Sequence, residues 1–230
     1  MNTHISAESS YYLQKRPEMV EFVPDRRARV LDVGCAEGHF AASLPGVAEA
    51  WGIEPTPAAE AARGRLHRVL ASTFEEAEPE LPAHYFDVVI CNDSIEHMPD
   101  HDWFLSRITR YIAPGGALVA SIPNVRFYNN LFQMVLEKDW NYTEAGILDR
   151  THMRFFTEKS LRKCLQRHGF TITKFKGLRT NMHLGGSFRS KVYGAMSKAL
   201  IAGTLGYFSD IQYLQFGIRA VKNTEGRDTL

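Results

Sequence analysis

At 230 residues, 44% hydrophobic and 23% charged, the chain has the length and composition of one α/β domain with an ample core. A formal net charge of +1 argues against a dedicated nucleic-acid binder, which carries a basic surplus. There is no apolar run of about 18 residues to mark a membrane span. The polar start "MNTHISAESS" lacks the core of a signal peptide, and Cys35, Cys91 and Cys164 fit neither a zinc spacing nor a disulfide framework, so a reducing, cytoplasmic setting is expected.

In chain order, "YYLQKRPEMVEFVP" predicts a short amphipathic helix, and residues 1–27 form an N-terminal cap. Strand and helix then alternate as in a parallel sheet: strand 28–34, helix 38–44, strand 48–55, helix 57–66 and strand 67–72. "FDVVICND" (86–93) is apolar enough to be buried on both faces. A helix follows over 100–112, with Trp103, Phe104, Ile108, Tyr111 and Ile112 at helical spacing, and "PGG" breaks it before strand 117–124.

Beyond Asn124 the rhythm changes. Helix 125–137 leads into an irregular, aromatic stretch, 138–157. Helix 158–170 is capped by Thr157 and stopped by Gly169. Strands 171–178 and 211–222 flank an apolar, small-residue-rich helical insertion within 179–210, and 223–230 is a polar tail.

Chemistry concentrates at the strand ends. The turn "VLDVGCAEGHF" lacks the G-x-G-x-x-G of a dinucleotide site, since Ala36 and His39 stand where glycines belong, which disfavours an NAD-dependent oxidoreductase. The spacing is instead Asp32-x-Gly34-x-x-x-Gly38. A carboxylate at Asp32 repels a pyrophosphate but suits a ligand with an ammonium and a sulfonium, as S-adenosylmethionine (SAM) has. Glu54, twenty residues after Gly34, can accept hydrogen bonds from ribose hydroxyls.

The ordered motifs "VLDVGCAEG", "GIEP", "FDVVICNDSIEHMPD", "RYIAPGGALVASIPN" and "LRKCLQRHGF" resemble those of class I SAM-dependent methyltransferases over residues 28–222. The resemblance implies a Rossmann-like α/β fold with a seven-stranded, mostly parallel sheet, the last strand antiparallel, and helical lid elements. It departs at Ala36, commonly glycine in the family. It implies SAM contacts from Asp32, Gly34, Cys35, Ala36, Gly38, Glu54 and Pro55, from Thr73 and Phe74 at the adenine, and from Asn92 and Asp93 at the methionine portion. A narrower likeness, in the N-terminal stretch and "GILDRTHMRFFT", is to a bacterial subgroup associated with polysaccharide and specialised-metabolite pathways.

On the acceptor side, His97 and His152 are candidate bases, with Asp149 to orient the latter. Trp140, Tyr142 and Arg154 are candidates to line the acceptor, and Tyr11, Tyr12 and Arg16 to close the N-terminal side. A bland alternative makes Asp149, Arg150, His152 and Arg154 a loop-fixing ion-pair network. Asp93, Glu96, Asp100 and Asp102 are close in sequence but their spacing does not establish convergence, and no metal is expected. The expected activity is methyl transfer to a hydroxyl of a small molecule or glycan. N- or C-methylation and a SAM-binding scaffold without transfer activity stay open, as do the readings of 186–208 as lid, packing helix, homodimer face or membrane contact.

Overall fold

The computed structural model describes residues 16–178 and 188–223. Seven strands form one sheet: β1 (Arg29–Val33), β2 (Glu49–Ile53), β3 (Arg68–Leu70), β4 (Phe86–Asn92), β5 (Ile112–Pro123), β6 (Phe170–Leu178) and β7 (Gln215–Lys222). Their order is β3-β2-β1-β4-β5-β7-β6, and β7 runs antiparallel to both its neighbours while the others pair in parallel. The expected fold is the observed one. The order reverses between β1 and β4, so the ends of these two strands open a crevice of the kind in which α/β sheets bind ligands.

The central strands are legible because they are buried on both sides: β4 has six consecutive buried residues from Phe86 to Cys91. One apolar cluster on the sheet joins Leu31, Val89, Phe104 and Leu161, and a second joins Val30, Val88, Phe40 and Ala62.

The helices are α1 (Pro17–Val20), α2 (His39–Ser43), α3 (Ala58–Arg63), α4 (Phe74–Ala77), α5 (His101–Ile108), α6 (Tyr128–Phe132), α7 (Glu158–Arg167) and α8 (Phe188–Gly203). Several differ from expectation. Helix α5 ends at Ile108, four residues early, because the Arg110 and Tyr111 carbonyls accept from the His84, Tyr85 and Phe86 amides at the start of β4. "PGG" is absorbed into β5. A side chain at Gly116 would lie 2.9 Å from the Asp87 carbonyl, so glycine lets the two chains approach. The 125–137 helix shortens to α6 and continues as a π-helical turn, Gln133–Glu137.

Within the described part of the N-terminal cap, Phe22 is fully buried, and its ring lies where a side chain at Gly217 of β7 would stand, 2.5 Å away. Helix α8 buries Tyr193 and Ser197 and leaves Phe188, Val192 and Met196 exposed. Among the described residues no helix is long and apolar enough to cross a membrane.

Candidate active site

Three chain reversals carry the site. The first follows β1. Gly34 and Gly38 have φ of 77° and 78°, and Ala36 takes φ of 48° between them. Glycine costs nothing there; alanine accepts a left-handed conformation at some strain. The Gly34 and Cys35 amides donate to the Ile53 carbonyl (2.8 and 3.2 Å), which holds the turn against β2. A Cβ on Gly34 would stand 2.8 Å from the Ser94 Cβ, so this turn and the one after β4 touch.

Glu54 is buried just past β2. One of its oxygens accepts from the Ala36 amide at 2.8 Å and the other from the Thr56 amide at 3.0 Å. Two backbone donors fix the carboxylate and leave lone pairs for a diol. Pro55 beside it is exposed. Asp32, 3% exposed, lies below the turn near Glu54. Burial first, and the Glu54 charge second, push its carboxyl up to about 7, against the contrary pull of the Ala41 amide in α2. Cys35 is buried, its thiol packed where a Gly52 side chain would be.

The second reversal follows β3. Thr73 caps α4, its hydroxyl accepting from the Glu76 amide while Glu76 accepts from the Thr73 amide. Phe74 is 5% exposed and packs edge-on against Phe104 at 4.7 Å. Both side chains expected near an adenine are therefore engaged within the protein.

The third reversal, after β4, separates residues that sequence alone treated alike. Asp93 (φ 50°) accepts from the Ser121 hydroxyl and the Gln215 amide, each at 2.9 Å, and pairs with Arg16. Arg16 also bonds Gln215 at 3.0 Å and Glu18 at 2.6 Å, which consumes its guanidinium in a buried network instead of presenting it to an acceptor. Asn92 is different: both side-chain amide atoms are buried without a partner among the described residues, as is the Ser94 hydroxyl. Polar atoms in that state imply a ligand or water. Tyr11 and Tyr12 lie outside the described residues.

Beyond Ser94 a single 3₁₀ turn, Ile95–His97, brings His97 against the loop 147–154. The Glu96 carbonyl accepts from the Met153 and Arg154 amides at 2.8 and 3.1 Å, which staples that loop to the turn. The His97 and His152 rings meet edge-on, 4.7 Å between centroids. Nδ1 of His152 is 2.9 Å from the Ile147 carbonyl and Nδ1 of His97 is 3.3 Å from the Thr151 carbonyl. A carbonyl can only accept, so in each ring Nδ1 is the donor, the tautomer that puts the lone pair of an uncharged imidazole on Nε2. Burial first and His152 second hold His97 below the usual imidazole range.

Asp149 does not orient His152. Its carboxylate accepts from the Thr151 amide (2.8 Å) and hydroxyl (2.7 Å) and so shapes the loop, while a backbone carbonyl positions the imidazole. Arg154 is spent on the Pro99 and Met153 carbonyls. Trp140 packs edge-on against Phe155 at 5.1 Å, with Tyr142 exposed beside it.

Glu96 is the residue sequence reasoning missed. It is 1% exposed and neither carboxylate oxygen has a hydrogen-bond partner among the described residues. Burial, then Asp93, raises its proton affinity well above the ordinary range. The one signal was its adjacency to His97, read there only as part of an acidic run. That run does not converge: Asp93 pairs with Arg16, Asp100 caps α5, and Asp102 holds Arg167 and His168.

A family model described as a methyltransferase domain matches residues 6–174. The chain belongs to the methyltransferase family. Over 176 residues the methyltransferase is 30% identical to the ubiquinone biosynthesis O-methyltransferase of Vibrio atlanticus, covering 68% of this chain and 71% of that protein. It is 34% identical over 113 residues to a trans-aconitate 2-methyltransferase of Methylobacterium radiotolerans, covering 46% of this chain and only 43% of that relative's length. The solved 1,6-didemethyltoxoflavin-N1-methyltransferase of Burkholderia thailandensis, with S-adenosylhomocysteine bound, shares the fold at a TM-score of 0.59, covering 95% of this chain and 82% of its own, at 16% identity.

The methyltransferase is of class I and its cofactor is SAM. The residues present fit that group. A cradle at Gly34 has no room for a Cβ, a buried carboxylate at Glu54 is held by two amides, and Asn92 has orphaned amide atoms one reversal away.

Proposed function

We propose that this methyltransferase transfers a methyl group from SAM to a hydroxyl of a small-molecule or sugar acceptor, with the imidazole of His97 or His152 taking the hydroxyl proton. What supports this reading is the histidine pair itself: two rings in edge-on contact, each with Nδ1 tied to a carbonyl, a tautomer in which Nε2 is the atom that can accept a proton. When bound, SAM supplies an electrophilic methyl on a positively charged sulfur. The chain's own residues must hold the ribose through Glu54, receive the amino-acid portion along the turn from Gly34 to Gly38 and at Asn92, and exclude water. A hydroxyl is a poor nucleophile at neutral pH, so a base within reach is worth about 10²–10⁴-fold. Trp140 and Tyr142 offer apolar faces to a planar or sugar acceptor entering past the loop 147–154. The name of the Vibrio relative, an O-methyltransferase, agrees with oxygen as the acceptor atom, and the sugar class is taken from the resemblance of "GILDRTHMRFFT" and the N-terminal stretch to a bacterial glycan and metabolite subgroup.

The test is transfer of labelled methyl from SAM to a panel of phenols, catechols and nucleotide sugars. His97→Ala and His152→Ala are measured alongside, with SAM affinity followed by calorimetry. We expect an active acceptor for the wild type, a fall in kcat of about 100-fold or more in at least one variant, and SAM affinity unchanged. If both variants keep full kcat, the base assignment fails. If SAM binds and no acceptor is methylated, the chain is a SAM-binding scaffold.

A further inference from the structure

The geometry points to a binding site for one divalent transition-metal ion, of the zinc and cobalt class, formed by the Glu96 carboxylate and the imidazoles of His97 and His152. One ligand atom from each of the three lies within 4.8 Å of the others. An ion at about 2.0–2.2 Å from nitrogen and oxygen donors needs them about 3–4 Å apart, so the donors would close by about 1–2 Å at most to hold one.

Three further observations favour an ion over a chance meeting. The first is that Glu96 is 1% exposed and both its oxygens lack partners among the described residues, a costly state for a buried carboxyl. Protonation alone does not resolve it, since the O–H would itself have no acceptor. The second is that each histidine has its Nδ1 on a backbone carbonyl, the arrangement that fixes a metal-binding imidazole and directs Nε2 outward. The third is that the two ligating segments are already joined: the Glu96 carbonyl holds the Met153 and Arg154 amides, so donors about 55 residues apart are positioned before any ion arrives. Two imidazoles and one carboxylate select borderline transition ions over magnesium or calcium.

The inference keeps methyl transfer to a hydroxyl from the proposed reaction and replaces its base: the ion would lower the pKa of a bound acceptor hydroxyl, whose proton would pass to solvent water, and the two imidazoles would act as ligands. A second cluster, His101, Asp102 and Cys164, provides the control, because its Asp102 is already taken by Arg167 and His168.

The experiment is titration of the full-length, chelator-stripped protein with Co²⁺ and Zn²⁺ in the absence of SAM and acceptor. It is read by the visible bands of protein-bound Co²⁺ and by metal content after dialysis. We expect one ion per chain, at least a tenfold loss of affinity in Glu96→Gln, loss of the bands in His152→Ala, and no change in Cys164→Ser. Thermal melts of each variant without metal separate lost ligation from lost folding. Absence of binding to the wild type overturns the inference, as does binding unaltered in Glu96→Gln and His152→Ala or abolished in Cys164→Ser. Because no methyl transfer is measured, an active O-methyltransferase that binds no ion refutes this inference alone. An ion-binding protein that methylates no hydroxyl refutes the proposed reaction alone.

Discussion

Asp32 shows how burial changes the meaning of a motif residue. Its carboxyl is raised from 3.8 to about 7 by burial and by the neighbouring Glu54. Between about pH 4 and pH 7 the unfolded chain releases this proton while the folded chain keeps it. The unfolded state then binds fewer protons, so stability falls as pH rises through that window. The contribution is complete below pH 4 and lost by about pH 7, with a slope of at most ~1.4 kcal/mol per pH unit. Urea midpoints of the wild type should decline between pH 4.5 and 7 by more than those of Asp32→Asn; parallel curves would show that Asp32 ionises normally. At Gly34 the constraint is steric, with φ of 77° and only 2.8 Å to the Ser94 Cβ. Gly34→Ala should cost about 1–3 kcal/mol and weaken SAM binding, and adding Ser94→Gly should recover part of the loss, because the clash goes but the positive φ remains. Melting temperature and calorimetry on both variants decide it. The residue types in this turn were legible in the sequence; the protonation of Asp32 was not, since it depends first on burial by the folded chain and then on the Glu54 carboxylate just past the next strand.

Among the elements, the strands were legible and the helix ends were not. A doubly buried strand such as β4 announces itself by continuous apolar residues. The end of α5 does not, because Tyr111 satisfies both the helical pattern and the pairing that draws its carbonyl to β4. The N-terminal cap is keyed to the sheet in a comparable way: Phe22 packs on Gly217 in the middle of β7. Phe22→Ala should destabilise by about 3–5 kcal/mol, measured by chemical denaturation. Gly217→Ala should also destabilise, by pressing a methyl group into the ring. A loss below about 1 kcal/mol for Phe22→Ala would mean that the cap is dispensable to the sheet.

Across the whole molecule, Arg16 ties the N-terminal cap to both the β4 turn and the start of β7 through Asp93 and Gln215. Breaking a buried pair by removing one partner typically costs about 3–5 kcal/mol. Arg16→Ala should approach that cost, and Asp93→Asn in the same chain should restore part of it. A double-mutant cycle by urea denaturation gives the coupling, and additive losses would show that the pair is not coupled. This tie flanks the crevice proposed to hold SAM, so SAM at about 100 times its dissociation constant should stabilise the fold by about 2.7 kcal/mol, while NAD should not. A thermal melt with each ligand checks this, and an equal shift with NAD would contradict the specificity read from the β1 turn.

The amino-acid sequence by itself determined the sheet, its seven strands, the turn after β1 and the cofactor class, because these are local: burial periodicity, glycine spacing and a carboxylate at a strand end are all contained within a few residues. Only the tertiary structure decided which polar groups are free. It committed Asp93, Arg16, Thr73, Asp149 and Arg154 to partners within the protein, tied His97 and His152 through Nδ1, and left the buried side-chain polar atoms of Asn92 and Glu96 without a partner among the described residues. The physical reason is range. A hydrogen-bond partner 77 residues away, as Asp93 is from Arg16, has no trace in local pattern, and a side chain is available to a ligand only when the fold has offered it nothing else.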